Sequence, residues 1–215
     1  MLSKYGRPLF TDPLSRLAYY LHRLGVTPNA LTYSGFVLTV ITAFVLATGA
    51  FRWGGILLLL AALFDMLDGA VARFTKQMST FGAFLDSTLD RYSESVTFLA
   101  LAYFFSRGPS TRTELVLIMF ILVGSLMVSY TKARAEALQV ECKAGWLQRP
   151  ERIVILVVGL IVGWLEPILW LLAIFTNFTA LQRIYEVYWR TNQLQSAPPA
   201  NPPLVKRANL AKTKE

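Results

Sequence analysis

The sequence predicts an all-α integral membrane protein, with six transmembrane helices preceded by an N-terminal interfacial amphipathic helix. Hydrophobic residues make up 54% of the 215-residue chain and charged residues only 16%, more apolar than a water-soluble domain requires. Long apolar stretches, among them 30–50, 98–105 with its flanks, and 115–130, approach the roughly 20 residues that a spanning helix needs. Short polar, Gly- or Pro-containing segments separate them, as turns between helices do.

The opening segment carries Leu17, Tyr20, Leu21 and Leu24 at helical spacing after Pro13, with Arg16 and Arg23 on the other side. That pattern predicts a short helix lying at the membrane surface. Gly25, Thr27, Pro28 and Asn29 break it, and Thr27 or Asn29 is placed to cap a first spanning helix over 29–49. A second helix is expected over 53–74, leading from a continuous apolar run into acidic residues, and a third over 80–105. After the turn at Gly108 and Pro109 a fourth covers 114–138. A polar loop over 139–148 precedes two more helices, at 149–163 and 168–189, parted by Glu166 and Pro167.

The expected organisation is therefore an interfacial segment 1–28, a six-helix domain 29–190 and a tail 191–215. The tail combines four prolines with lysines and few large apolar residues, a composition that predicts disorder. No cleavable leader pattern is visible, because polar residues precede the first apolar run. Gly159-x-x-x-Gly163 offers a small-residue face for helix packing or for dimerisation.

An even number of spans puts both termini on one side. With the termini inside, the outer loops would hold only Arg52, Arg107 and Arg112 of the 21 basic residues, so cytoplasmic termini are expected. The net charge of +8 is accounted for by cytoplasmic loops and anionic headgroups, and no nucleic-acid partner is expected. Cys142 is the only cysteine and His22 the only histidine, which excludes an intrachain disulfide and a cysteine-built metal site. Neither residue is assigned a role.

An aspartate inside an apolar helix costs several kcal/mol and is retained where it faces a polar cavity, a partner or a metal. This chain has four. Asp65 and Asp68 lie three apart on the second predicted helix, and Asp86 and Asp90 four apart on the third. Each spacing places both carboxylates on one face, and the short connection predicts that the two helices are antiparallel neighbours. Four converging carboxylates repel one another unless cations neutralise them. An all-oxygen set points to hard ions, two Mg²⁺ or Mn²⁺, and a paired site of that kind suits phosphoryl chemistry. Gly69, Ala72 and Gly82 serve either ligand access or helix packing, and Arg73 either grips a phosphate or reaches for the membrane surface.

Asp65-x-x-Asp68-Gly69-x-x-Ala72-Arg73, eight residues, then Gly82-x-x-x-Asp86-x-x-x-Asp90 resembles the signature of the CDP-alcohol phosphatidyltransferases at every fixed position. The resemblance covers nearly the whole chain except the tail. It implies that Asp65, Asp68, Asp86 and Asp90 ligate a metal pair, that Asp90 is also the general base, and that Gly69, Ala72, Arg73 and Gly82 line the site of a CDP-activated lipid. Asn29 and Thr32, in Thr27-Pro28-Asn29-Ala30-Leu31-Thr32, resemble the family's first-helix contacts to the nucleotide.

Lys132, Arg134, Arg149, Arg152 and Arg183 all fall near the inner ends of the last three predicted helices. As a set they suit a phosphorylated acceptor, although Lys132 and Arg134 cannot face the same way on a regular helix, and Lys132 has Glu136 four residues on. Ser129–Glu136, Arg149–Arg152 and Gln182–Arg183 are similar to the branch of the family that makes phosphatidylinositol phosphate and its archaeal ether-lipid analogue. That branch implies CDP-diacylglycerol or an ether-lipid analogue as donor, inositol 1-phosphate as acceptor, and a homodimer. The competing acceptor is glycerol 3-phosphate, followed by serine or free inositol. An ion or proton transporter is the competing reading from another class, and neither the internal repeats nor the broken helices of transporters are present.

Overall fold

The structure, a computed structural model, describes residues 17, 19–21, 23–75, 78–108 and 112–196. Its main elements are α1 (Pro28–Ala47), α2 (Phe51–Thr75), α3 (Thr80–Ser106), α4 (Arg112–Ala137), α5 (Arg149–Val162) and α6 (Leu165–Ser196). Each apolar stretch of the sequence forms one helix. Of the expected interfacial segment, residues 17, 19–21 and 23 are described and helical. His22 and the expected tail beyond Ser196 lie outside the described residues.

Local chemistry explains where the helices begin and end. Thr27 caps α1, its hydroxyl accepting from Ala30 N at 3.3 Å, and Pro28 follows as the first helical residue, where a missing N–H costs nothing. Gly163 ends α5 in the left-handed conformation, φ +87°, which glycine adopts without penalty. The last helix starts earlier than expected because Pro167 falls within its first turn, where no intrahelical N–H is required. It also runs past Arg190, where the helical domain was expected to end, to Ser196.

Packing joins the helices into a closed ring in the order α1, α3, α4, α6, α5, α2, each resting on two neighbours. This corrects the expectation that α2 and α3 pack on each other. α1 lies against both. Around one half of the ring a single apolar core forms, including Leu46, Leu58, Phe98, Leu101, Ile118, Ile121, Leu160 and Leu169. The other half, where α1, α3 and α5 begin and α2, α4 and α6 end, holds the charged residues beside a smaller apolar cluster built on Leu31 and Val71. Antiparallel succession thus carries every candidate site residue to one end of the bundle.

The two glycines proposed for packing or dimerisation are used inside the chain. A Cβ at Gly159 would stand 2.7 Å from Ile168 Cγ1, so this glycine lets α5 approach α6, and Gly163 is the cap. Four helices, α1, α2, α4 and α6, are long and apolar enough to cross a membrane. α3 carries charge through its middle, and the 14 residues of α5 extend only about 21 Å.

Candidate active site

α1 organises the carboxylates with three residues spaced three apart on one face. Asn29 stands beside α3, its Oδ1 3.2 Å from where a Cβ on Gly82 would lie. Thr32 Oγ1 donates to Asp68 Oδ2 at 2.6 Å, with both residues buried. At Gly35 an added Cβ would meet Asp65 Oδ1 at 3.0 Å and Phe64 Cβ at 3.2 Å, so α1 reaches α2 closely only because this position has no side chain. Sequence reasoning selected Asn29 and Thr32 and missed Gly35, although Thr32, Gly35 and Thr39 form a small-residue stripe at helical spacing.

The positive charge among the aspartates comes from α5. Arg149 places Nη2 2.7 Å from Asp65 Oδ2 and Nη1 2.6 Å from Asp90 Oδ1, spanning the ring interior in the forked geometry for which guanidinium is suited. Its Nε is buried without a hydrogen-bond partner. Asp86 lies within electrostatic reach of Arg149 and Asp65, and Asp68 within reach of Asp65 and Asp86. The four carboxylates therefore share one field. Arg91 adds a looser contact, Nη1 to Asp90 Oδ2 at 3.9 Å.

The donor set, carboxylates with a hydroxyl nearby, fits hard divalent cations. Among the described residues no group of three carboxylate, imidazole or thiol side chains encloses an ion as the side chains stand. Two of the four carboxylates, Asp65 and Asp90, instead meet the Arg149 guanidinium. At the rim, the Arg73 side chain folds back over Gly69, where a Cβ would lie 3.2 Å from Arg73 Nη1. Ala72 follows on the same helix, half-buried.

The other expected acceptor residues divide sharply. Arg152 is 3% exposed and bidentate on Glu94, Nε to Oε1 at 2.7 Å and Nη2 to Oε2 at 2.8 Å, with Nη1 donating to Leu147 O at 3.2 Å. Each of its nitrogens is engaged within the chain, as a buried cation requires a partner. Arg183 is also buried and donates to the carbonyls of Ala144, at 2.9 Å, and Val128. Lys132 pairs with Glu136 at 3.7 Å on the surface, and Arg134 is exposed. Glu94 itself was missed by the sequence reading, although it lies four residues after Asp90 on the face that already carries Asp86. Cys142 is buried against α6, and burial pushes its thiol up, in keeping with an inert residue.

Residues 25–182 match the CDP-alcohol phosphatidyltransferase family. The chain is 36% identical to the phosphatidylinositol phosphate synthase of Mycobacteroides abscessus, over 85% of this chain and 86% of that protein. It is 38% identical to the archaetidylinositol phosphate synthase of Pyrococcus horikoshii, over 86% and 96%. Among solved structures, the phosphatidylinositol phosphate synthase of Mycobacterium tuberculosis with CDP-DAG bound superposes with a TM-score of 0.76 at 34% identity, covering 81% of this chain and 93% of that one. The same enzyme in complex with manganese and citrate also gives 0.76 at 34%, covering 81% and 88%. Together with the four apolar helices, this likeness makes the chain a multi-pass membrane protein.

Proposed function

We propose that this chain, which belongs to the CDP-alcohol phosphatidyltransferase family, transfers a phosphatidyl group from CDP-diacylglycerol to a hydroxyl of inositol 1-phosphate, giving phosphatidylinositol phosphate and CMP. The observation that supports this reading is Arg149, a guanidinium of the kind that suits phosphate, held directly against Asp65 and Asp90. It joins a cation for a phosphorylated acceptor to the carboxylate of the general base. Relatives named for inositol phosphate lipids, similar over most of the chain, support inositol 1-phosphate as that acceptor. An ether-lipid analogue of the donor is compatible with the same site.

Asp90 accepts the proton of the acceptor hydroxyl, whose oxygen attacks the lipid-linked phosphorus. The new O–P bond forms as the P–O bond to CMP breaks, and CMP leaves with the electron pair. Asp65, Asp68, Asp86 and Asp90 would hold two Mg²⁺ or Mn²⁺ ions, which supply positive charge to the pyrophosphate during transfer. Asn29, Thr32, Gly69, Ala72, Arg73 and Gly82 form the donor side, the glycines admitting the nucleotide and Arg73 meeting phosphate at the rim. On the acceptor side, Arg149 grips the acceptor phosphate with Lys132 and Arg134 at the entrance. Arg152 and Arg183 shape the pocket from beneath. Because aspartate is a weak base, orientation and electrostatics supply most of the acceleration.

In the membrane we place six helices, with α3 and α5 completing the span inside the ring, an N-terminal interfacial helix, cytoplasmic termini and active site, and a homodimer. The decisive assay offers the purified enzyme CDP-diacylglycerol with inositol 1-phosphate, glycerol 3-phosphate, inositol or serine in turn, with Mg²⁺ or Mn²⁺. Product with inositol 1-phosphate is expected. Exclusive use of glycerol 3-phosphate would reject the acceptor while leaving the chemistry intact.

A further inference from the structure

Asp86, Asp90 and Glu94 repeat every four residues along one face of α3. Arg149 and Arg152, three apart in the first turn of α5, face them and form two rungs of a ladder. Arg149 meets Asp90 at 2.6 Å, and Arg152 meets Glu94 through two bonds of 2.7 and 2.8 Å. The lower rung is the more deeply buried, with side-chain exposures of 3% for Arg152 and 11% for Glu94, against 22% for Arg149.

α3 and α5 face each other across the ring, each packing on other helices. Between them lies a small cavity of about 30 Å³ bordered by Asp65, Glu94, Arg149 and Arg152. The arginine–carboxylate contacts thus bridge two helices that share no extensive packed interface. α5 begins without a side-chain cap from Gln148, with Pro150 and Glu151 in its first turn. Arg152 adds a tertiary tie, linking Leu147 O at the helix entrance to Glu94 on α3.

We propose that Glu94 and Arg152 are a positioning pair that fixes the first turn of α5, so that Arg149, one turn earlier, presents its guanidinium to the acceptor phosphate beside Asp90. This rests on the reading of Arg149 as an acceptor-phosphate ligand. Arg152 then acts through Arg149 and does not touch the substrate.

Removing one partner strands a buried charge, whereas replacing both with apolar groups of similar volume is commonly tolerated. The test is therefore the double variant Glu94→Leu/Arg152→Met, compared with Arg149→Met and with the triple variant. KM for inositol 1-phosphate and for CDP-diacylglycerol is measured for each, alongside thermal unfolding in detergent. The double variant is expected to unfold near the wild-type temperature, with the acceptor KM raised about 10- to 100-fold and the donor KM nearly unchanged. Adding the double change to Arg149→Met should raise the acceptor KM no further, because residues acting through one group are not additive. If the double variant does not fold, Arg152→Lys, which keeps the charge but loses the bidentate grip, carries the same test with a smaller rise.

A wild-type acceptor KM in the double variant, an equal rise for both substrates, or full additivity with Arg149→Met overturns the positioning role. If the double variant raises the acceptor KM while Arg149→Met does not, Arg149 is not the phosphate ligand, and the route through it falls with that reading. If only Arg149→Met raises it, the pair alone is overturned.

Discussion

Thr32 donates its hydroxyl to Asp68 across the α1–α2 interface at 2.6 Å, with the two residues 6% and 5% exposed. A buried carboxylate with so short a bond to a hydroxyl is held in one orientation. Thr32→Val keeps the shape and removes the donor. It is expected to lower stability by roughly 1–3 kcal/mol, the cost of an unsatisfied buried acceptor, while Thr32→Ser retains most of it. Thermal unfolding of the two variants in detergent checks the difference, and equal melting temperatures would mean the bond contributes nothing.

Gly35 is expected to be intolerant of even one added carbon. A Cβ there would lie 3.0 Å from Asp65 Oδ1 and 3.2 Å from Phe64 Cβ, and the neighbouring helix backbone leaves little room to yield. Gly35→Ala should move Asp65 relative to Asp90 and reduce kcat by roughly 10- to 100-fold. Unchanged turnover would show that Asp65 adjusts freely.

Asp90→Asn should abolish turnover while leaving a folded protein that still binds CDP-diacylglycerol. The substitution keeps the volume but removes the negative charge, and with it the base, the ion pair with Arg149 and one proposed metal ligand. Donor binding and single-turnover product formation are the paired measurements. Residual turnover near the wild-type rate would remove Asp90 from the proton transfer.

Chelation of divalent ions is expected to stop the reaction without unfolding the protein, because Arg149 already offsets Asp65 and Asp90. Activity should return with Mn²⁺ or Mg²⁺. The melting temperature after chelation separates this from a structural role for the ions, which would lower it sharply.

Much of the site was legible in the sequence because it is written in local spacing. Asp65 with Asp68 and Asp86 with Asp90 declare a shared face by intervals of three and four, and the turn residues mark most helix ends to within a few positions. The sequence reading overlooked Gly35 because a glycine on an apolar helix carries no signal of what it faces. Glu94 was overlooked because, one turn below the aspartates, it reads as one more polar residue, and only the approach of Arg152 gives it meaning.

The expected pairing of α2 with α3 failed for a related reason. A short connection makes two helices antiparallel, but it does not decide whether they touch, and α1 takes the place between them. Likewise, five basic residues near the inner helix ends look equivalent in sequence. The fold separates them into one held at the carboxylates, two tied inside the chain and two at the surface.

The sequence by itself determined that this is a helical membrane protein of the CDP-alcohol phosphatidyltransferase family, and which aspartates share a helical face, since helical periodicity and apolar length are properties of neighbouring residues. Only the tertiary structure decided that Arg149 reaches Asp65 and Asp90, that Arg152 is held by Glu94, and that six helices close a ring around them. Those contacts join residues as many as 84 positions apart, and packing rather than spacing brings such residues together.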